Sequence, residues 1–260
     1  MQLFDSHCHL DDRSFDQDRV AVLQRAAQAG VRGMMIAGIN LESAARGIQI
    51  ASTHADCYAA VGIHPHDARH CRASTLEALK ELARHPKVLA WGETGLDFNR
   101  MYSPRSDQEK WFSRQLQVAD ELNLPLIFHE RDSRGRFLEM LRAMPADDRR
   151  GVVHCFSGNE DELRQYLDLG LYIGITGIVT IKSRGADLRR LAPLVPDDRL
   201  LVETDAPYLT PTPHKNKTRR NEPAFVHAVL SKLACVRRQD PDQLAARIWD
   251  NTCRLYGLTS

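Results

Sequence analysis

The chain has 260 residues, 43% apolar and 27% charged, which excludes a disordered polypeptide and favours one large α/β domain over two small ones. Lysine and arginine number 35 against 34 aspartates and glutamates, and a net charge of +1 excludes binding of nucleic acid through bulk positive charge while leaving a local basic patch open. No apolar run approaches the ~18 residues of a membrane span. The six cysteines form no C-x-x-C pair, and Met1–Asp5 carries no basic or apolar leader. These features imply a cytoplasmic protein with reduced thiols.

Short apolar runs alternate with amphipathic stretches along the whole chain. A first strand is predicted at 3–5, then a helix over 18–29 that stops before Gly30. A strand at 33–37 leads to a helix over 41–53, and one at 58–63 to a helix over 76–84. The fourth strand, 88–92, precedes a helix over 108–122, and the fifth, 125–128, a helix over 133–144. Strands at 151–153, 171–175 and 200–202 alternate with helices over 161–169 and 188–194. Helices over 223–236 and 241–256 close the chain, the last with Asp240 as N-cap and Pro241 in the first turn. Continuous apolar strands suit a parallel sheet covered on both faces. Eight such repeats in this length have the rhythm of a (β/α)8 TIM barrel. The rival is a doubly wound open sheet, and no G-x-G-x-x-G follows the first strand to support its dinucleotide-binding form.

The chemically useful residues fall at the C-terminal ends of these strands, where barrels build active sites. Strand one runs into His7-Cys8-His9, strand four into Glu93, strand five into His129, strand six into His154 and strand eight into Asp205. Residues i and i+2 of a strand share a face, so His7 and His9 can reach one ion. Glu93 can bridge two ions, and Asp205 can ligate one and accept a hydrogen bond from an attacking water. A single strand-end histidine is usually structural; five strand ends bearing ligand-type residues point to a metal site.

Other residues read both ways. His64, in His64-Pro65-His66-Asp67, is a substrate-phosphate contact, an outer partner of a ligand, or part of a Pro-stiffened turn. Asp97 orients a ligand or caps its loop. The segment 210–221 carries Lys215, Lys217, Arg219 and Arg220 without an acidic residue, and is a phosphate-holding loop at the mouth or a solvated linker. Phe98, Tyr102 and Tyr208 can stack on bases or pack.

The strand-end blocks, together with Gly62-Ile63-His64-Pro65-His66, Gly92-Glu93-Thr94-Gly95-Leu96-Asp97, His154-Cys155-Phe156-Ser157-Gly158, Glu203-Thr204-Asp205-Ala206-Pro207-Tyr208 and Arg220-Asn221-Glu222-Pro223, run nearly end to end. In them the chain resembles the TatD family of metal-dependent deoxyribonucleases, within the amidohydrolase superfamily. The resemblance implies a distorted TIM barrel in a single domain over 1–260. It implies two divalent ions, one held by His7, His9, Glu93 and Asp205 and the other by Glu93, His129 and His154. It further implies Mg²⁺-dependent 3′→5′ exonuclease action on single-stranded DNA, with RNA a further substrate; no obligate protein partner is evident from the sequence. Four imidazoles, by contrast, suit Zn²⁺ or Mn²⁺. Glu93 and Asp205 are the expected catalytic carboxylates; His64, Arg220 and Asn221 are expected to contact substrate. Glu130 departs from the family pattern and is expected to bring another carboxylate near the second ion.

Two other function classes compete. A small-molecule hydrolase of the superfamily, lactonase- or phosphotriesterase-like, would usually bridge its metals with a carboxylated lysine, and Lys87 lies at the wrong end of strand four. A non-enzymatic barrel with a structural metal would favour a closed, cysteine-rich site.

Overall fold

Apolar runs with no polar face bury themselves on both sides, and here they do so as one parallel sheet. The computed structural model describes every residue except 147 and 260. Its strands are β1 (Leu3–Cys8), β2 (Val31–Ile36), β3 (Cys57–Val61), β4 (Val88–Asp97), β5 (Leu126–Arg131), β6 (Gly151–Val153), β7 (Tyr172–Ile175) and β8 (Leu200–Val202). They lie in sequential order, each parallel to the next, which is a TIM barrel and not a doubly wound sheet.

Nine α-helices are described: α1 (Arg19–Gln28), α2 (Leu41–Thr53), α3 (Ala73–Leu82), α4 (Arg105–Glu121), α5 (Arg136–Ala143), α6 (Glu160–Asp168), α7 (Ala186–Leu191), α8 (Val226–Arg237) and α9 (Pro241–Tyr256). Helix α5 starts three residues later than the periodicity predicts. Asp132, Arg134 and Gly135 all have positive φ, which keeps the chain out of the right-handed helix until Arg136. Among the described residues no helix is long and apolar enough to cross a membrane.

The seam between β8 and β1 is the barrel's distortion. In place of a regular ladder it is closed by Asp205 N–H to His7 O (2.9 Å), His9 N–H to Ala206 O (2.7 Å) and the Ser6 hydroxyl to Val202 O (3.0 Å). Asp5 adds a side-chain clasp, accepting from the Thr204 amide and hydroxyl.

One side chain per strand fills the barrel: Phe4, Met35, Ala60, Ala90, Ile127, Val152, Tyr172 and Leu201, with Leu255 and Tyr256 of α9 packed on them. Period 2 from Ile127, Val152 and Leu201 turns His129, His154 and Glu203 inward, and Asp205 follows in the positive-φ turn just past β8. From Phe4 and Ala90 it would turn His7, His9 and Glu93 outward. Register shifts on β1 between Asp5 and Cys8, and on β4 between Gly92 and Thr94, each add one residue against the partner strand. These bulges reverse the alternation and bring His7, His9, Glu93 and Asp97 inside.

Candidate metal centre

Glu93 stands in the middle of the mouth, 3% exposed, with its two oxygens facing different groups. On the Oε2 side are His7 Nε2 at 3.4 Å and His9 Nε2 at 3.7 Å. These two nitrogens are 3.2 Å apart, and Asp205 Oδ1 lies 3.8 Å from the first and 3.4 Å from the second. On the Oε1 side are His129 Nδ1 at 2.7 Å, His64 Nε2 at 3.4 Å and His154 Nε2 at 3.5 Å. The His7 and His154 rings stack with centroids 3.6 Å apart and so join the two groups. Gly95, paired with His129 across β4 and β5, makes this approach possible, because a Cβ there would collide with the His129 carbonyl oxygen. The ring of His129 thereby fits between Glu93 and Asp97.

Buried lone pairs converging at these spacings repel one another unless a cation or protons lie between them. Two sets, His7–His9–Glu93 and His7–His154–Asp205, and a third, His64–Glu93–His129, have donor atoms close enough to hold an ion. The electrostatics agree. Burial pushes the Glu93 carboxyl up, but His64, His154 and His129 outweigh it and hold it well below the usual carboxylate range. Asp205 is likewise raised by burial and, on balance, lowered by His9, His154 and His7. Burial disfavours charge on His9 and His129, yet the carboxylates facing them raise both to about 9. His64, buried and beside His129, falls to about 4.

A shell of partners fixes this arrangement. Asp97 Oδ2 lies 3.3 Å from His129 Nε2 and 2.8 Å from His66 Nε2, and Asp97 also accepts from the Asn99 and Arg100 amides. Glu203 lies under His154, with Oε1 3.0 Å from Nδ1, and accepts from the Cys155 amide. Two glutamines of α4 complete the shell. Gln108 brackets the backbone of Asp97, and Gln115 brackets that of Ile63, just before His64. Sequence reasoning missed both. Their signal was polar residues seven apart on a helical face otherwise made of Trp111, Phe112, Leu116 and Ala119.

The cavity above the centre has a volume of ≈ 540 Å³ and is lined by His9, His64, Glu93, His129, His154 and Asp205, and also by Arg100, Arg131 and Arg184. These arginines were not singled out from sequence, since each stands alone in a different loop or strand end and only the fold gathers them. Exposed Tyr208 also lines it, and exposed Tyr102 packs edge-on against His66, which lines it too.

Arg220 and Asn221 are placed elsewhere, which corrects the expectation that they meet substrate. Arg220 makes a two-pronged ion pair with Asp18, donates to Ser14 O and covers the Phe15 ring. Asn221, fully buried, donates to Thr204 O and Tyr208 O and so ties down the turn after β8. Lys215 and Lys217 are solvent-exposed, and His214 stacks on Phe225. Glu130 also departs from expectation. It follows His129 on the opposite face of β5 and accepts from the Ser133 amide, so it brings no carboxylate to the centre. Lys87 donates to the carbonyls of His54, Ala55 and Cys57, at the end of β4 remote from Glu93, and offers no bridging lysine.

The fold and the cluster define a class: a TIM-barrel protein with a histidine–carboxylate centre able to hold metal at the C-terminal mouth of its strands. The family model for TatD-related DNases matches residues 4–257, and the chain belongs to that family of metal-dependent nucleases. It is therefore a hydrolase of nucleic-acid ester bonds. A 3′-5′ ssDNA/RNA exonuclease TatD from Rahnella sp. (strain Y9602) is 44% identical over 261 residues, covering 99% of both chains. The protein of that name from Escherichia coli K12 is 42% identical, covering 98% of this chain and 99% of its own. Among solved structures, YjjV, a TatD homolog of Escherichia coli K12, superposes with a TM-score of 0.91 at 32% identity over 99% of this chain and 98% of its own. A TatD-family hydrolase from Entamoeba histolytica gives 0.90 at 25% identity, with 99% of each chain covered.

Proposed function

We propose that the chain is a cytoplasmic, metal-dependent 3′→5′ exonuclease of single-stranded DNA or RNA, with residues 1–260 working as one unit. The observation that carries this reading is Glu93, whose two oxygens each face a separate set of donors at the mouth. One divalent ion is assigned to His7, His9, Glu93 and Asp205, and a second to Glu93, His129 and His154. When bound, the ions supply an activated water and the positive charge that offsets charge gathering on the phosphate. Nitrogen donors favour Zn²⁺ or Mn²⁺, whereas Mg²⁺ prefers oxygen; metal analysis of the purified protein followed by add-back decides among them.

The chain's own groups do the rest. Asp205 accepts a hydrogen bond from the attacking water and aligns it. The water oxygen bonds to phosphorus, the bond from phosphorus to the 3′ oxygen of the shortened strand breaks, and a proton is delivered to that oxygen as one is lost from water. Arg100, Arg131 and Arg184 have no carboxylate partners among the described residues and line the same cavity, so they are free to grip phosphates. Tyr102 and Tyr208, 55% and 53% exposed, offer stacking faces to unpaired bases.

The test is degradation of end-labelled single strands by metal-depleted and reloaded protein, with duplex DNA and a p-nitrophenyl ester and lactone panel in parallel. Metal-dependent loss of label from the 3′ end first, on single strands, is the expected result. Turnover of the ester or lactone panel without nucleic-acid cleavage would overturn the reading in favour of a small-molecule hydrolase.

A further inference from the structure

A neutral imidazole carries one N–H, so the partner of one ring nitrogen dictates what the other can do. His129 lies between two carboxylates, Asp97 3.3 Å from Nε2 and Glu93 2.7 Å from Nδ1, so an ion beside Glu93 displaces the Nδ1 proton while Asp97 keeps the other proton on Nε2. Glu203, 3.0 Å from His154 Nδ1, likewise leaves the Nε2 lone pair of His154 facing inward. Both rings are thus set as ligands, by the carboxylate–histidine arrangement common around metal sites.

His64 is set the other way. Its Nδ1 accepts the backbone N–H of His66 at 3.0 Å. An amide nitrogen only donates, so Nδ1 is bare and Nε2 carries the proton. Pro65 stiffens this turn, which begins at His64 as the N-cap of the Pro65–His70 3-10 helix. The Nε2–H points at His129 Nδ1, 3.2 Å away, and at Glu93 Oε1. His64 therefore has the spacing of a third ligand beside Glu93 and His129 but no lone pair to give. Ligation would require breaking the cap or removing a second proton from the ring.

We infer that His64 is a catalytic hydrogen-bond donor to a nonbridging oxygen of the scissile phosphodiester, and not a metal ligand. This rests on the nuclease reading above. The ring is neutral, lines the cavity, and is held by its own backbone, so the donor is in place before substrate arrives. A donor aimed at oxygen atoms that gain charge in the transition state stabilises that state more than the bound substrate. No proton leaves the ring.

The experiment compares the parent, H64A, H64Q and H129A. Manganese is titrated calorimetrically into metal-free protein, hydrolysis of single-stranded DNA is followed with saturating Mn²⁺, and ¹⁵N spectra of the histidine rings report the tautomers. H64A is expected to bind as many Mn²⁺ equivalents as the parent with unchanged affinity, while kcat falls about 10²–10³-fold. H64Q, whose amide N–H reaches the Nε2 position, binds Mn²⁺ like the parent and regains part of the rate; it carries the same titration if H64A does not fold. H129A is expected to weaken or lose one Mn²⁺. Loss of a Mn²⁺ equivalent in H64A or H64Q, a full rate in H64A, or an Nδ1–H tautomer for His64 would overturn the assignment. A parent protein that cleaves no nucleic acid would instead overturn the nuclease reading, and the tautomer and metal counts would still decide whether His64 is a ligand.

Discussion

The two halves of the centre share Glu93 and are built differently around it. Toward β1 and β8, His7 and His9 rise from a bulged strand, and the Nδ1 of His7 is buried with no partner among the described residues. Toward β3–β6, the far nitrogen of each ring is engaged: by Asp97 for His129, by Glu203 for His154 and by the His66 amide for His64. The second half is oriented by the protein before any ion arrives, whereas the first depends more on the ion to order it. Identical side chains in one cavity thus acquire different chemistry from what holds them behind.

The largest effect should come from the residue both halves share. Glu93→Ala is expected to abolish hydrolysis and reduce Mn²⁺ binding in both halves, while circular dichroism shows the fold retained, because the barrel interior is filled by apolar side chains. A folded Glu93→Ala protein with a near-parental nuclease rate would break the shared-bridge comparison. Asp205→Asn comes next. It should lower kcat about 10²–10⁴-fold, the usual contribution of a group that orients or accepts a proton. Affinity for single-stranded DNA should hold, and a rise in KM alone would make Asp205 a binding residue.

The outer carboxylates sharpen the contrast between the halves. Asp97→Asn and Glu203→Gln should each weaken Mn²⁺ binding about 10–100-fold in the second half and leave the first unchanged. Two resolved phases in the calorimetric titration, only one of which moves, would verify it. Acid should affect both halves, since His9 lies in the first and His129 in the second, each raised to about 9 in the ion-free chain. Protonated rings do not ligate, so Mn²⁺ affinity should climb as pH rises toward 9 and level off above it. A pH-independent affinity between pH 6 and 9 would refute proton competition at these rings.

The smallest effect belongs to Arg220→Ala. Its ion pair with Asp18 is part-exposed, so the loss is roughly 0.5–1 kcal/mol of stability after solvent screening. It should appear as a small drop in Tm, with the salt dependence of DNA binding unaltered. A flattened salt slope would return Arg220 to the substrate.

Much of this was legible in the chain itself because local signals and the fold agree. Apolar runs and helical periods gave eight strands and nine helices in order, and the ligand-type residues at five strand ends marked the mouth. The sequence could also suggest His64 and Asp97 as partners of the site, though not which partner each would be. It misled at Arg220 and Glu130, where a suggestive residue type stood beside a real site but the fold turned its side chain to another neighbour.

The amino-acid order alone determined the barrel, the position of the centre along each strand and the identity of its donors, since these follow from periodicity and from side-chain chemistry. Three things waited for the tertiary structure. The bulges on β1 and β4 decide that His7, His9 and Glu93 face inward, and a bulge is a mismatch between two strands that neither strand encodes by itself. The gathering of Arg100, Arg131 and Arg184 depends on two loops and the end of β5 meeting over one cavity. The division of histidines into ligands and a donor depends on which atom lies behind each ring. For His129 that atom comes from β4, for His154 from the residue just after β8, and for His64 from the turn beginning at His64, whose geometry places the His66 amide against Nδ1.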